Sequence, residues 1–199
     1  MKKHLLLVSL SGMALCLNLH AEAPSSINSS NNQTTLDKQI LSKLAHQTQT
    51  HFHFQQEKKM AMLTKPLITE GELTLQDDTV IWDIQKPYAI RYEIHRDLIK
   101  EVDTNGERSM SPSGNPLAAA LTEAMLAAFS GHWENKENLA ALSANGAITQ
   151  WTLNITPHST ELKKMIQAIV VEGSENNIHQ VSIQESNHDS TVIHLTAIP

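Results

Sequence analysis

Apolar and polar side chains alternate along residues 52–88 in the pattern of β-strands that bury one face. Three runs carry this alternation, at residues 52–58, 71–75 and 80–84. Asp77 and Asp78 lie between the second and third runs as a turn, so we expect neighbouring antiparallel strands. The large apolar residues of these runs then share one face of a curved sheet: Phe52, Phe54, Leu73, Leu75, Val80, Trp82 and Ile84.

The alternation continues beyond this stretch and returns near the end of the chain. Tyr92 and Ile94 fall on the apolar side of the next run, and Asn105-Gly106 is a typical two-residue hairpin turn, since both residues tolerate positive φ. A Pro/Ser/Gly segment at 111–116 then interrupts the sheet. Further strands are predicted at residues 151–155, 165–171, 178–183 and 191–198.

Helical spacing occurs in three segments. In the first, Leu36, Ile40 and Leu44 recur four residues apart behind Thr35, the expected N-cap. The second spans 117–129 and has a stripe at the same spacing, and a third, weaker helix is predicted around 137–142. The stripe of the second helix is Leu117, Leu121, Met125 and Phe129.

Together these elements predict an α+β fold, an open (incomplete) antiparallel β-barrel of about 9–11 strands with two or three helices covering its concave side. The helix at 117–129 is the candidate lid, through the four residues of its stripe. The candidate lining of an apolar cavity is Phe52, Phe54, Leu73, Leu75, Val80, Trp82, Ile84, Tyr92, Ile94 and Trp151. The alternative for both sets is an ordinary filled core.

The N-terminus has the features of an export signal. Lys2 and Lys3 precede an apolar run at 5–19, and small residues follow at Ala21 and Ala23. We expect cleavage after Ala21, with Ala23 as the alternative site; a retained membrane anchor is the other interpretation. Residues 1–21 are then a signal peptide, 22–35 a flexible leader rich in Pro, Ser, Asn and Gln, and 36–199 one folded domain.

Cysteine usage and charge narrow the class of protein. Cys16 is the only cysteine and follows Leu15, which is too bulky for lipoprotein processing, so the exported domain is expected to hold no disulfide. The formal net charge of −6 falls by two when Lys2 and Lys3 leave with the signal. An acidic chain argues against nucleic acid as a partner and against simple electrostatic attraction of the whole protein to anionic lipid.

The strand motifs resemble the periplasmic outer-membrane lipoprotein carrier family, the LolA-like proteins. The first motif is Phe54-x-Gln56-x-Lys58, and the others are Pro66-Leu67, Gly71-x-Leu73-x-Leu75, and Trp82 followed by Pro87. The order of elements agrees as well: a signal peptide, a helix, a strand meander, a helical insertion and terminal strands. The resemblance covers about residues 36–198.

This resemblance implies an incomplete barrel of about eleven strands with a helical lid, whose apolar cavity takes acyl chains. A periplasmic protein of this kind receives lipidated cargo from an inner-membrane ABC-type or other lipid exporter and passes it to an outer-membrane acceptor. We expect a monomer with no cofactor. The alternative function on the same fold is a lipid- or partner-sensing regulatory module of the cell envelope.

One departure from the family pattern affects the cargo. The best-known members carry an arginine a few residues before the tryptophan, thought to latch the lid, whereas residues 76–81 contain none. The chain is therefore closer to divergent relatives. A free lipid, glycolipid or polyketide-like lipid is an alternative to a lipoprotein.

Reactive chemistry is not indicated. The sequence has no Gly-x-Ser-x-Gly, His-Glu-x-x-His or phosphate-loop motif, so neither an enzyme nor a metal site is predicted. His51 and His53 share a strand face, as do Glu70 and Glu72. Solvated polar faces are the preferred interpretation of both pairs over a metal site or a catalytic carboxylate pair.

Overall fold

The computed structural model describes residues 30–45, 50–76, 79–112 and 140–199 together with Thr122 and Leu126. The helices whose first and last residues are both described are α1 (Ser30–Ala45) and α2 (Thr160–Lys163). The strands are β1 (His51–Lys59), β2 (Leu67–Gln76), β3 (Thr79–Lys86), β4 (Ile90–Ile94), β5 (Ile99–Asp103), β6 (Gly106–Met110), β7 (Ala140–Ala147), β8 (Gln150–Pro157), β9 (Ile166–Ser174), β10 (Asn177–Glu185) and β11 (Ser190–Ala197).

All eleven strands form one antiparallel sheet in which the first and last strands are neighbours. From this central pair, β2 to β6 follow in order to one edge, and β10 back to β7 follow to the other. In the described part of the chain β6 and β7 do not pair with each other, so the sheet is open. This confirms the predicted open antiparallel sheet and its strand number. The connection 111–139 joins the two opposite edges.

One face of the sheet, which we name the inner face, is apolar across most of its width. Residues opposite each other on neighbouring antiparallel strands point to the same face. Phe52, Leu73, Trp82 and Tyr92 form such a row from β1 to β4, and each is at most 6% exposed. A second row crosses the other half of the sheet through Ile193, Val181, Val171, Leu153 and Ala144. The two halves share one hydrophobic core.

Helix α1 packs on this core beside β7. Ile40 and Leu44 are fully buried in it, and Lys43 pairs with Glu175 at 2.8 Å. Asp37 accepts a hydrogen bond from the backbone N–H of Ala144, which fixes the helix to β7. Burial raises the pKa of Asp37, and this hydrogen bond acts in the opposite direction.

The helix starts earlier than the sequence suggested. It includes Ser30, so Thr35 lies within it and the prediction of Thr35 as N-cap is wrong. Residues 30–35, assigned to the leader, are helical. Among the helices of the described residues, none is both long and apolar enough to cross a membrane.

Two local predictions are corrected where pairing between strands overrides local preference. Residues 140–142, expected in a weak helix at 137–142, belong to β7, which pairs with β8 along its whole length; residues 137–139 are outside the described residues. The hairpin between β5 and β6 turns at Thr104 and Asn105 rather than at Asn105-Gly106. Gly106 is already the first residue of β6, and it alone takes the positive φ, of 125°.

Helix α2 was not predicted. It begins after Ser159, whose hydroxyl accepts a hydrogen bond from the backbone N–H of Leu162. Leu162 is 4% exposed, so the single turn is held by a cap and one buried side chain. Ser159, two residues after the predicted break at Pro157, was the available signal for this turn.

A buried ion pair spans the centre of the sheet. The Lys58 ammonium on β1 lies 2.6 Å from the Glu185 carboxylate at the end of β10, and both side chains are 2% exposed. The Thr191 hydroxyl on β11, the strand between them, donates to the same carboxylate oxygen at 3.4 Å. Because both charges have left water, each depends strongly on the other for stabilisation.

Removing one partner of this pair should destabilise the fold more than removing both. We expect Lys58→Met to lower the free energy of unfolding by about 3–5 kcal/mol, since Glu185 is left buried without its counter-charge. The double variant Lys58→Met/Glu185→Leu should recover most of that loss. Urea unfolding followed by circular dichroism measures both. A single variant within 1 kcal/mol of the wild type would show that the pair contributes little.

Candidate functional site

The ten residues predicted to line a cavity all lie on the inner face. Nine belong to the four adjacent strands β1 to β4, and Trp151 belongs to β8, four strands away from β1. Nine are buried, and Leu75 is half-buried against the same core. The structure therefore brings nine of them into one continuous apolar patch and places Trp151 in a separate part of the core.

The centre of this patch is an aromatic pair. The rings of Phe54 and Trp82 have centroids 5.1 Å apart and are tilted by 60°, a favourable aromatic geometry. Phe54 lies opposite Gly71, which has no side chain. A Cβ atom there would stand 1.9 Å from the backbone oxygen of Asp83. The Gly-x-Leu spacing of the sequence therefore serves a close approach of β2 and β3.

Trp151 is held by different contacts. Its indole N–H donates to the backbone carbonyl of Glu175 at 3.1 Å. The ring lies across Gly173, where an added Cβ would be 2.3 Å from a ring carbon. This tryptophan therefore packs on the edge of the core near the β9–β10 turn, away from the patch on β1 to β4.

The prediction missed the inner-face residues of the later strands. They follow the same period-two alternation that identified the early ones, so their signal was present in the sequence. They complete the apolar face on the side of the sheet beyond β1: Leu153, Ile155, Ile169, Val171, Val181, Ile183, Ile193 and Leu195.

Toward β6 the inner face changes from apolar to polar. Glu101 lies opposite Tyr92, and Arg108 lies opposite Glu101. The Arg108 guanidinium donates hydrogen bonds to Glu101 and, at 2.9 Å, to Asp103. Glu101 is only 8% exposed, so this charged row borders the apolar patch directly.

Tyr92 stands at the boundary between the two regions. It is 1% exposed, and its hydroxyl has no hydrogen-bond partner within bonding distance among the described residues. Burial, followed by the negative charge of Glu101, raises the pKa of Tyr92, so the hydroxyl remains protonated at neutral pH. The boundary therefore places a buried O–H donor next to a carboxylate.

The four residues predicted to form the lid, Leu117, Leu121, Met125 and Phe129, lie outside the described residues. Of the same segment the structure describes Thr122 and Leu126, both helical. Thr122 is 3% exposed, and Leu126 packs against the core. These two residues are four apart, the spacing of residues on one side of a helix.

Two of the open clefts of the molecule contain none of the residues of the β1–β4 patch. The first has a volume of 540 Å³ and lies between α1 and the β7–β8 turn; its lining is Lys38, Gln39, Ser42, Lys43 and Ile148. The second, of 430 Å³, lies beside Trp151 and includes Glu172, Ser174 and His179.

The polar outer face does not provide a metal centre in the described residues, where no three His, Cys, Asp or Glu side chains form a suitable group. His51 instead lies 3.1 Å from the Glu72 carboxylate across the β1–β2 pair. This contact lowers the pKa of Glu72. Glu70 pairs with Lys86 at 2.9 Å, which likewise lowers its pKa. His51, Glu70 and Glu72 thus belong to a network of ion pairs on the outer face.

The sequence matches one family model over residues 29–195, described as outer membrane lipoprotein carrier protein LolA-like. The chain belongs to this family. The resemblance drawn from the motifs on β1 to β3 is therefore confirmed. Members are extracytoplasmic carrier or binding proteins for lipid or lipoprotein acyl chains rather than enzymes. No curated protein matches the sequence.

Two solved structures are similar to this chain at low identity. One is the LolA superfamily protein NE2245 from Nitrosomonas europaea, with 8% identity over 81% of this chain and 91% of the other, at a TM-score of 0.44. The second is LprF from Mycobacterium bovis, with 10% identity over 85% of this chain and 95% of the other, at a TM-score of 0.37. The family assignment rests on the sequence match.

The unpaired hydroxyl of Tyr92 leads to a prediction about stability. Tyr92→Phe removes a buried polar atom without changing the ring, so the free energy of unfolding should stay the same or rise by about 1 kcal/mol. Tyr88→Phe is the matched control, because Tyr88 is 73% exposed and its hydroxyl is already in water. Chemical denaturation compares the two variants. A loss above 1 kcal/mol in Tyr92→Phe alone would mean that the hydroxyl is hydrogen-bonded in solution.

Proposed function

We propose that this protein is a periplasmic carrier that binds the acyl chains of lipids or lipoproteins on the inner face and shuttles them from the inner to the outer membrane. The observation that carries the proposal is the continuous apolar patch on β1 to β4 in a sheet whose edge strands, β6 and β7, do not pair with each other in the described residues. A filled barrel closed on itself would leave no route for a chain to enter.

The free energy gained by burying an acyl chain is of a size that suits a carrier. Burying a methylene group stabilises a bound chain by about 0.8 kcal/mol, so ten methylenes contribute roughly 8 kcal/mol before the costs of ordering. A chain held in this way is kept from water and is still released to a membrane. Release requires that the loaded and empty states differ by only a few kcal/mol.

The residues of the patch have distinct places in this proposal. Phe54, Trp82 and their neighbours contact the hydrocarbon chain, and the charged row at Glu101 and Arg108 faces the polar end of the ligand. The Tyr92 hydroxyl between them is a donor for a ligand oxygen. The predicted helix at 117–129, which we propose as the lid, belongs to the connection between β6 and β7, the two edges of the sheet.

The remaining parts of the proposal follow the family. Residues 1–21 act as an export signal and 22–29 as a leader, with the carrier domain starting at helix α1. An inner-membrane exporter of the ABC type or another lipid exporter loads the protein, and an outer-membrane acceptor unloads it. The protein works as a monomer without a cofactor.

Native mass spectrometry of protein isolated from the periplasm without detergent tests the carrier function. We expect a discrete added mass that matches a lipid or an acylated peptide. A mass without any addition, combined with no uptake after incubation with phospholipids or lipopeptides, would refute the carrier function. A ligand that stays bound in the presence of acceptor membranes would instead favour a lipid-sensing module.

A matched pair of substitutions on β2 tests which face binds the ligand. Leu75 is half-buried on the inner face, while its neighbour Thr74 points to the outer face. Leu75→Gln should weaken binding of a fluorescent fatty-acid probe about fivefold, which corresponds to the loss of roughly 1 kcal/mol of apolar contact. Thr74→Gln should leave probe affinity unchanged. Equal affinities for the two variants would place the ligand elsewhere.

A further inference from the structure

Exposed apolar side chains are unevenly distributed along the strands of this sheet. Among the described residues, five that are strongly exposed lie at one end of the sheet and two at the other. The five are Met62 (80% exposed), Tyr88 (73%), Leu67 (45%), Leu63 (43%) and Ile68 (41%), and we name them the apolar tip. At the opposite end are Leu98 and Met110, each 42% exposed.

The topology brings the tip together. Residues 60–66 connect β1 to β2, and residues 87–89 connect β3 to β4. Because β2 and β3 are antiparallel neighbours, the start of β2 and the end of β3 lie at the same end of the sheet. The Lys86–Glu70 ion pair, at 2.9 Å, joins these two strands beside the tip. Met62, Leu63 and Tyr88 therefore project from two connections at one end.

The loop that carries Met62 is held in place. The backbone N–H of Ala61 donates to the Asp189 carboxylate at 2.9 Å, and Asn187 donates to the other oxygen of that carboxylate at 2.9 Å. Asp189 itself is 4% exposed. A turn between Met60 and Leu63 adds a backbone hydrogen bond of 2.9 Å. The chain is thus fixed to the β10–β11 turn while Met62 stays in solvent.

Lysine side chains border the tip. Lys59 pairs with Glu57 at 3.2 Å and Lys86 pairs with Glu70 at 2.9 Å, but in each pair the lysine is the more exposed partner, at 67% against 37% and 74% against 37%. Lys65, within the loop, is also exposed. The outermost charges here are therefore positive, on a chain whose formal net charge is −6.

We propose that the apolar tip docks the protein on the surface of an anionic lipid bilayer. Methionine and leucine enter the interfacial layer, tyrosine is a side chain favoured at headgroup level, and lysine stems extend along apolar groups while their ammonium groups meet lipid phosphates. Each lysine near such a surface contributes roughly fivefold to partitioning. The contact is weak and reversible, and it presents the β1–β2 end of the sheet to the membrane.

Flotation with vesicles tests this docking. Purified protein is mixed with phosphatidylethanolamine vesicles that contain or lack phosphatidylglycerol. Wild-type protein should float with the anionic vesicles and much less with the neutral ones. Met62→Glu/Leu63→Glu should reduce binding about tenfold, because two exposed apolar side chains no longer enter the interface. Lys65→Glu should reduce binding to the anionic vesicles only.

The control uses the two exposed apolar side chains at the opposite end of the sheet. Leu98→Glu/Met110→Glu changes two side chains as exposed as Leu63, and it should bind vesicles as the wild type does. Equal losses in both double variants, or no vesicle binding by the wild type, would overturn the proposal. Binding only to natural membranes, and not to pure lipid, would also overturn it and would indicate a protein receptor.

Failure of membrane docking can be distinguished from failure of the carrier function. Met62→Glu/Leu63→Glu should take up the fatty-acid probe normally, since both residues lie outside the inner-face patch. Loss of vesicle binding with intact probe uptake supports docking by the tip. Vesicle binding by a wild-type protein that takes up no lipid would retain the docking surface and refute the carrier.

Discussion

The pairing of the first strand with the last is the constraint on which the rest of this structure depends. Eight residue pairs connect β1 to β11, from Phe52 with Ala197 to Lys59 with Ser190. Without this contact the strands would form two separate meanders, β1 to β6 and β7 to β11. The apolar face of each meander would then lack the other half of the core. The Lys58–Glu185 pair reinforces the joint from β1 to β10 over the intervening strand. Because β1 and β11 are far apart in the sequence, bringing them together costs loop-closure entropy. Burial of apolar side chains on both sides of the β1–β11 pair has to offset this cost.

The consecutive pairing of β1 to β6 places the apolar patch and the polar row on one inner surface. Rows of opposed residues run across the sheet, so the character of the surface changes strand by strand. It is apolar along the row from Phe52 to Tyr92 and charged where that row continues to Glu101 and Arg108 on β5 and β6. A ligand with an apolar chain and a polar end matches that order. Specificity for the end group then depends on few side chains, and affinity depends on many.

Much of this arrangement was predictable because strands with one buried face have a regular period. The alternation around Phe52, Leu73 and Trp82 identified β1 to β3 and the shared face. The Ala-rich start of β7 did not show this period, and its conformation is set by pairing with β8 rather than by local propensity. Burial of Lys58 and Glu101 was also beyond prediction, since a charged residue in a strand ordinarily faces water. The apolar tip was not predicted, because Met62, Leu63 and Tyr88 lie in connections between strands, which have no regular period.

The open edge at β6 affects how readily copies of the protein aggregate in a crowded compartment. An unpaired strand offers its backbone to any other extended chain and is a common start of aggregation. Here that strand is only five residues long, fully exposed and charged at Glu107 and Arg108, with Lys100 bound to Glu107 at 3.1 Å beside it. Such an edge discourages a second copy from continuing the sheet. The sheet can thus remain open at β6 without offering a long, uncharged edge to another chain.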